Sequence, residues 1–270
     1  MSASRAERPA VLCVGGLDPT GGAGVLADAA AVRVAGAHPA AVIASIAIQD
    51  GRSFVGSHAL EASVFASALK TVLGGIDIRA VKTGALGGRA AVEVLAGTLR
   101  AHERIPLVVD PVVRSSTGGE LLDDEGVAAL RSRLFPLAAL VTPNIAEAEL
   151  FSGIAIRGPA EMAEAGREIL AEGPTAVLVK GGHLGGDRSV DVLVSRRGGT
   201  LELSSPRVAG RDVRGTGCAL ASLIAARLAC GVEPAEAVRT ARDTLRVAIE
   251  NAVAVGPGPP VPGWGPRARR

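Results

Sequence analysis

The sequence predicts one doubly wound α/β domain: a mostly parallel sheet with helices on both faces and an antiparallel hairpin at one edge. Three observations lead there. Apolar runs of strand length recur along the chain, helix-length segments separate them, and no internal repeat or linker interrupts the alternation. The 270 residues suffice for one large core or two small ones, and 48% hydrophobic with 21% charged residues is the make-up of a folded chain.

Taken in order, the strand candidates are "VLCV" (11–14), "AAVIASIAI" (40–48), "IRAVK" (78–82), "LVVD" (107–110), "AALVT" (138–142) and "AVLVK" (176–180). Unbroken Val/Ile/Leu runs of this kind suit strands buried on both faces, as in a parallel sheet. Helix candidates lie between them at 22–36, 61–73, 88–102, 123–135 and 159–172. Right-handed crossovers then distribute these helices over both sheet faces. "DVLVS" (191–195) and "TLELSS" (200–205), joined by "RRGG", read as the antiparallel hairpin, and helices at about 217–230 and 234–251 close the fold. The domain is expected to span 10–253, after a flexible stretch at 1–9 and before a flexible Pro/Gly-rich tail at 254–270.

The composition excludes several classes of function. A net charge of +2 with mixed signs offers no basic face for nucleic acid, and four Phe, one Trp and no Tyr supply little for base stacking. No apolar run reaches the roughly 18 residues of a membrane span, and "MSASRAERPA" has no apolar signal segment, so neither membrane nor nucleic acid is an expected partner. Cys13, Cys218 and Cys230 lack metal-site or disulfide spacing, which suits a reducing cytoplasm. Cys13 and Cys230 read as small buried hydrophobes.

Chemistry is expected beyond the carboxyl ends of the strands, where loops and helix N-termini converge. The chain's rarest polar residues fall there. Only Lys70, Lys82 and Lys180 are lysine, Gln49 is the sole Gln, and Asn144 is one of two Asn. The strand ends present "GGLDPTGGAG" (15–24) with Asp18, and Asp28 beyond it; then Gln49, "KTG" with Lys82, "DP" with Asp110, "TPNIAEAE" with Asn144 and Glu147, and "KGGH" with Lys180.

Each has a plainer alternative. The glycine loop fits neither common nucleotide fingerprint and reads equally as a strand-to-helix turn capped by Asp18 and Thr20. Asn144 can be a helix cap, Asp110 a strand terminator, and Gln49 and Lys82 solvated strand ends. Cys218 stands apart by position. It follows "GTG" (215–217) at the mouth of a helix that is apolar almost all round except at Ser222 and Arg227. Unpaired amides and the helix dipole there favour an anion, and by the same logic a thiolate, so a lowered Cys218 pKa is expected.

Together "DPTGGAGVLAD", "AIQD", "VKTG", "VVDPVV", "VTPNIAEAE", "LVKGGH" and "RGTGC" resemble, in this order, the hydroxymethylpyrimidine and phosphomethylpyrimidine kinases of thiamine biosynthesis, within the ribokinase-like superfamily. The resemblance implies a homodimeric ATP- and Mg²⁺-dependent kinase acting on a small pyrimidine. It places Asp28, Gln49, Gly16, Ala23, Ala85 and Val112 at the substrate. Lys180, Asn144, Thr216 and Arg214 go to the nucleotide, Asp110 and Glu147 to Mg²⁺ and its waters. Gly215, Gly217 and Cys218 form with Lys180 the catalytic group, Cys218 accepting the hydroxymethyl proton or stabilising charge. Two departures stand out. Ala85 replaces a common methionine and leaves space at the substrate, and Asp212-Val213-Arg214 replaces a common Asn-Thr-His, adding a cation expected near the phosphates. A pyridoxal or pyridoxine kinase on the same fold is the nearest alternative reading, and a non-catalytic sensor of thiamine precursors is a third.

Overall fold

A computed structural model describes residues 8–115, 118–182, 184–208, 212–256 and 258–265. Among the described residues nine strands form one sheet: β1 (Ala10–Leu17), β2 (His38–Gln49), β3 (Phe54–Ala59), β4 (Ile78–Thr83), β5 (Leu107–Val109), β6 (Leu140–Val141), β7 (Ala176–Lys180), β8 (Arg188–Ser195) and β9 (Gly199–Pro206). Their spatial order is β3-β2-β1-β4-β5-β6-β7-β8-β9. The six strands from β2 to β7 pair in parallel, whereas β3 at one edge and β8 and β9 at the other run antiparallel.

The helices are α1 (Gly24–Val34), α2 (Ala62–Gly75), α3 (Arg89–Leu99), α4 (Asp124–Ala129), α5 (Ile145–Ser152), α6 (Pro159–Ala171), α7 (Thr216–Ala229) and α8 (Pro234–Glu250). Side chains alternate across each strand, so the sheet feeds two cores. Leu12, Val81, Val109 and Val177 pack with α2, α3, α5 and α6, while Val11, Ala80, Val108 and Leu178 pack with α1, α7 and α8. The doubly wound architecture and the edge hairpin are as the sequence predicts.

Three features depart from expectation. Strand β3, "FVGSHA", is not among the strands expected from buried apolar runs because it is a partly exposed edge strand, turned back from β2 by Asp50, whose Oδ1 accepts from the amides of Arg52 and Ser53. Cys230 is exposed, since it terminates α7 instead of lying within it. The described part of the C-terminal segment, expected to be flexible, packs on the body, while residues 1–7 of the N-terminal stretch, also expected to be flexible, and 257 and 266–270 of the tail lie outside the described residues. Val253 and Val261 exchange both backbone hydrogen bonds, Gly263 N–H donates to Ala248 O, and Trp264 lies against the α7–α8 core. Prolines leave few amides in need of partners, so a short Pro/Gly strap needs only these few contacts to dock.

Candidate active site

Parallel pairing brings the strand ends to one line. Gly84 N–H donates to Val14 O, Asp110 N–H to Thr83 O, Thr142 N–H to Val109 O and Lys180 N–H to Pro143 O, at 2.8 to 3.0 Å. The side chains singled out in the sequence thus emerge side by side along the carboxyl edge. Helix α7 packs against β1, β4 and β5 and delivers its N-terminus to the middle of that line.

Two buried ion pairs dominate. Lys180 Nζ donates to Asp110 Oδ1 at 2.7 Å, and Lys82 Nζ donates to both oxygens of Asp28 at 2.8 and 2.9 Å. Burial works against both ammonium groups, but Asp110 and Asp28 outweigh it and hold the lysine pKa values above the ordinary range. Burial would likewise raise Asp110, yet Lys180 and then Lys82 bring it below the usual carboxylate range. Asp110 Oδ2 is buried with no hydrogen-bond partner among the described residues.

Asn144 and Glu147 form a capping box at the start of α5: Glu147 N–H donates to Asn144 Oδ1 at 2.9 Å and Asn144 N–H to Glu147 Oε2 at 2.8 Å. Both the cap reading and the proximity to Lys180 hold, because Asn144 bridges in parallel to Lys180. Burial, with the nearby Asp110 charge, pushes the Glu147 carboxyl up to about 7 against the opposing pull of Lys180.

At α7, Gly215 is the N-cap with φ +78°, and among the described residues no side chain caps the helix. Its first-turn amides are therefore open to an anion. A Cβ at Gly215 would lie 2.1 Å from Gly22 O, and one at Gly217 would lie 3.3 Å from Lys180 Nζ, so glycine is what lets the helix start sit against both the β1–α1 loop and the lysine. Half-buried Cys218 follows, beside Asp110 and both lysines. Its pKa is not lowered as expected. Burial drives the thiol up to about 12, and the charges of Asp110 and Asp28 reinforce this against the two lysines. Helix-terminus partial charges are outweighed here by desolvation and two full carboxylates.

At the end of β1, a Cβ at Gly16 would meet Ser45 Oγ at 3.1 Å and Ala85 Cβ at 3.7 Å, so these three residues adjoin one another. Half-buried Gln49 holds its Oε1 buried without a partner among the described residues. Ala23 is the N-cap of α1, and half-buried Val112 follows Asp110, to whose carbonyl it donates. Thr216 opens α7.

Three residues sit differently from their expected roles. Asp28 has no solvent exposure, and Lys82 and Ser222 Oγ, at 2.8 Å, occupy its oxygens, so it anchors Lys82 from beneath instead of meeting a ligand. Lys82 is fully buried, not a solvated strand end. Arg214, expected near the phosphates, pairs instead with Asp18 at 2.6 Å, and its buried Nε–H has no partner among the described residues. Ser222 and Thr20 join the site beyond the residues the sequence assigns to it, through Asp28 and Arg214. Ser222 had a legible signal as a hydroxyl inside an otherwise apolar helix, whereas Thr20 had none that separates it from an ordinary turn residue.

The sequence profile of the phosphomethylpyrimidine kinase family matches residues 18–262. A hydroxymethylpyrimidine/phosphomethylpyrimidine kinase of Aquifex aeolicus is 34% identical over 247 residues, 92% of this chain and 96% of its own. Among solved structures, the phosphomethylpyrimidine kinase of Clostridium difficile 630 superposes with a TM-score of 0.77 at 33% identity, covering 90% of this chain and 99% of that one. A Bacillus subtilis pyridoxal kinase, determined as an ADP complex, superposes with a TM-score of 0.87 at 27% identity, over 96% and 98%.

Proposed function

The chain belongs to the phosphomethylpyrimidine kinase family, and from that membership we propose that it transfers the γ-phosphoryl group of ATP to 4-amino-5-hydroxymethyl-2-methylpyrimidine and then to the resulting monophosphate, in thiamine biosynthesis. The observation that carries the reading beyond family membership is the grouping of the uncapped α7 start, Cys218, Lys180 and Asp110 at one sheet edge. Such a group suits phosphoryl transfer, in which positioning and electrostatics carry most of the rate.

Within it, the amides of Thr216, Gly217 and Cys218 receive the transferring phosphoryl oxygens, and Lys180 exchanges part of its contact with Asp110 for the nucleotide phosphates. Asp110 and Glu147 fit Mg²⁺: the unpartnered Asp110 Oδ2 is a hard oxygen donor, and the two carboxylates repel each other until a cation neutralises them. When bound, the ion supplies positive charge to the phosphates. Among the described residues no group of three or more His, Cys, Asp or Glu gathers as a metal site. With a pKa of about 12, Cys218 is a protonated donor that steadies developing charge, and a loose transition state needs little base.

Gln49 accepts from the exocyclic amine of an aminopyrimidine, a reading supported by its buried Oε1, which has no partner among the described residues. A homodimer in the cytoplasm belongs to the same proposal on the strength of family resemblance; among the described residues no helix is long and apolar enough to cross a membrane. The test is ADP release with hydroxymethylpyrimidine, its monophosphate and pyridoxal as separate acceptors. Turnover of the two pyrimidines above that of pyridoxal is expected. A preference for pyridoxal would reassign the substrate, and release with none would remove the kinase reading.

A further inference from the structure

Arg214 brings together three segments that the sequence keeps far apart. Its Nη2 donates to Asp18 Oδ2 at 2.6 Å and its Nη1 to Thr20 Oγ1 at 3.2 Å, both in the β1–α1 glycine loop. Its backbone N–H donates to Pro260 O of the C-terminal strap at 2.9 Å, and its chain neighbour Gly215 is the cap of α7. Arg214 and Asp18 are 7% and 3% exposed, so the pair is not a loose surface contact.

The packing around the pair is equally close. Gly215 seats against the carbonyl of Gly22, while a Cβ at Gly22 would lie 3.3 Å from Arg214 Nη1 and 3.2 Å from Val261 Cγ1. A Cβ at Gly258 would come within 2.5 Å of Gly51 O, which pins the strap against the turn that follows Gln49. Asp18 and Thr20 form one acceptor unit, since Thr20 Oγ1 and N–H both donate to Asp18 Oδ1 at 2.8 and 3.0 Å. A planar guanidinium reaches two acceptors in such a unit at fixed angles, which an ammonium cannot do.

We propose that Arg214 is a positioning residue: it locks the substrate-side loop 18–22 to the phosphate-side start of α7, with the strap as the third member, so that acceptor and donor sites keep their register. It acts through Asp18 and Thr20 and does not bind the nucleotide. The competing role would use Arg214 Nε–H, which is buried with no partner among the described residues, as a donor to a bound phosphate. The inference rests on the kinase reading above for its catalytic consequence, but not for the coupling of the three segments.

The experiment compares wild type, Arg214→Met, Arg214→Lys, Asp18→Asn and the Arg214→Met/Asp18→Asn double variant by ADP release, with amide exchange on the same full-length proteins. Arg214→Met is expected to lower kcat/KM for the pyrimidine by about tenfold or more, through both constants, with KM for ATP unchanged within about threefold. The double variant should be no worse than the poorer single, and Arg214→Lys should recover only part of the loss. Exchange should quicken in both 18–22 and 258–264 in Arg214→Met. A rise in KM for ATP alone, losses that multiply in the double variant, or exchange unchanged in both segments would overturn the proposal. If Arg214→Met does not fold, Arg214→Lys decides by the same criteria. Failure of wild type to release ADP with any pyrimidine would sink the substrate assignment while leaving the exchange result to decide the coupling.

Discussion

Lys82 and Asp28, 54 residues apart in sequence, meet in a bidentate ion pair that solvent does not reach, at 2.8 and 2.9 Å. Ser222 of α7 donates to the same carboxylate, so the pair ties β4, α1 and α7 together directly beneath Cys218. A charge buried this deeply survives only with its partner in place.

Removing one partner is therefore expected to be far worse than removing both. Lys82→Met leaves the Asp28 charge with only a hydroxyl for company and should cost about 3–5 kcal/mol of stability. Lys82→Met/Asp28→Leu should restore most of that loss. Urea unfolding of the singles and the double measures the coupling, and losses that simply add would show the pair to be energetically independent.

Cys218 offers a sharper contrast. As a protonated donor, its replacement by Ala should lower kcat about 100-fold while leaving KM for ATP within about threefold, and Ser, which keeps a donor, should retain more activity than Ala. A proton-accepting thiolate predicts instead a rate that rises with pH until the thiol is ionised. With the pKa at about 12, no such rise assigned to Cys218 is expected between about pH 6 and 9. Wild-type turnover in Cys218→Ala would rule out any role.

The sheet edge was legible because it is written in unusual residues. In an arginine- and alanine-rich chain, Gln49, Lys82, Asn144 and Lys180 stand at the ends of β2, β4, β6 and β7, and the structure aligns them along one sheet edge. What depended on depth was not legible. Lys82 and Asp28 differ from a solvated lysine and a ligand-facing carboxylate only by which face of β4 and α1 is covered, and α7 does the covering from more than a hundred residues away. The Cys218 shift has the same origin. Local sequence shows a helix N-terminus, which lowers a thiol pKa, but not the burial and, after it, the carboxylates of Asp110 and Asp28 that raise it. Strand β3 and the strap lacked an apolar signature because one is an edge and the other docks through backbone contacts.

Glu147 should make the unliganded protein's stability depend on pH. Its folded pKa, about 7, lies above the ordinary value of 4.5, so between these values the native state holds a proton that the unfolded chain has released. Stability from this group is then greatest at low pH and falls as pH climbs through that window, with a slope approaching one proton. Glu147→Gln should remove this part of the decline. Thermal midpoints of the two proteins from about pH 5 to 8 are the measurement, and parallel curves would contradict the raised pKa.

Trp264, the chain's single tryptophan, gives the strap its own optical reporter. It lies half-buried against the α7–α8 core, and the strap around it is bonded to the end of α8 through Gly263 and to Arg214 through Pro260. Those bonds attach it to central elements, so it should leave with them. Urea transitions followed by tryptophan emission and by far-ultraviolet circular dichroism are expected to coincide, and Trp264→Ala should cost about 1–3 kcal/mol, less than a fully buried aromatic. A tryptophan transition that precedes the loss of helix would instead make the strap a separately opening unit, resting on the domain without contributing to its cooperative core.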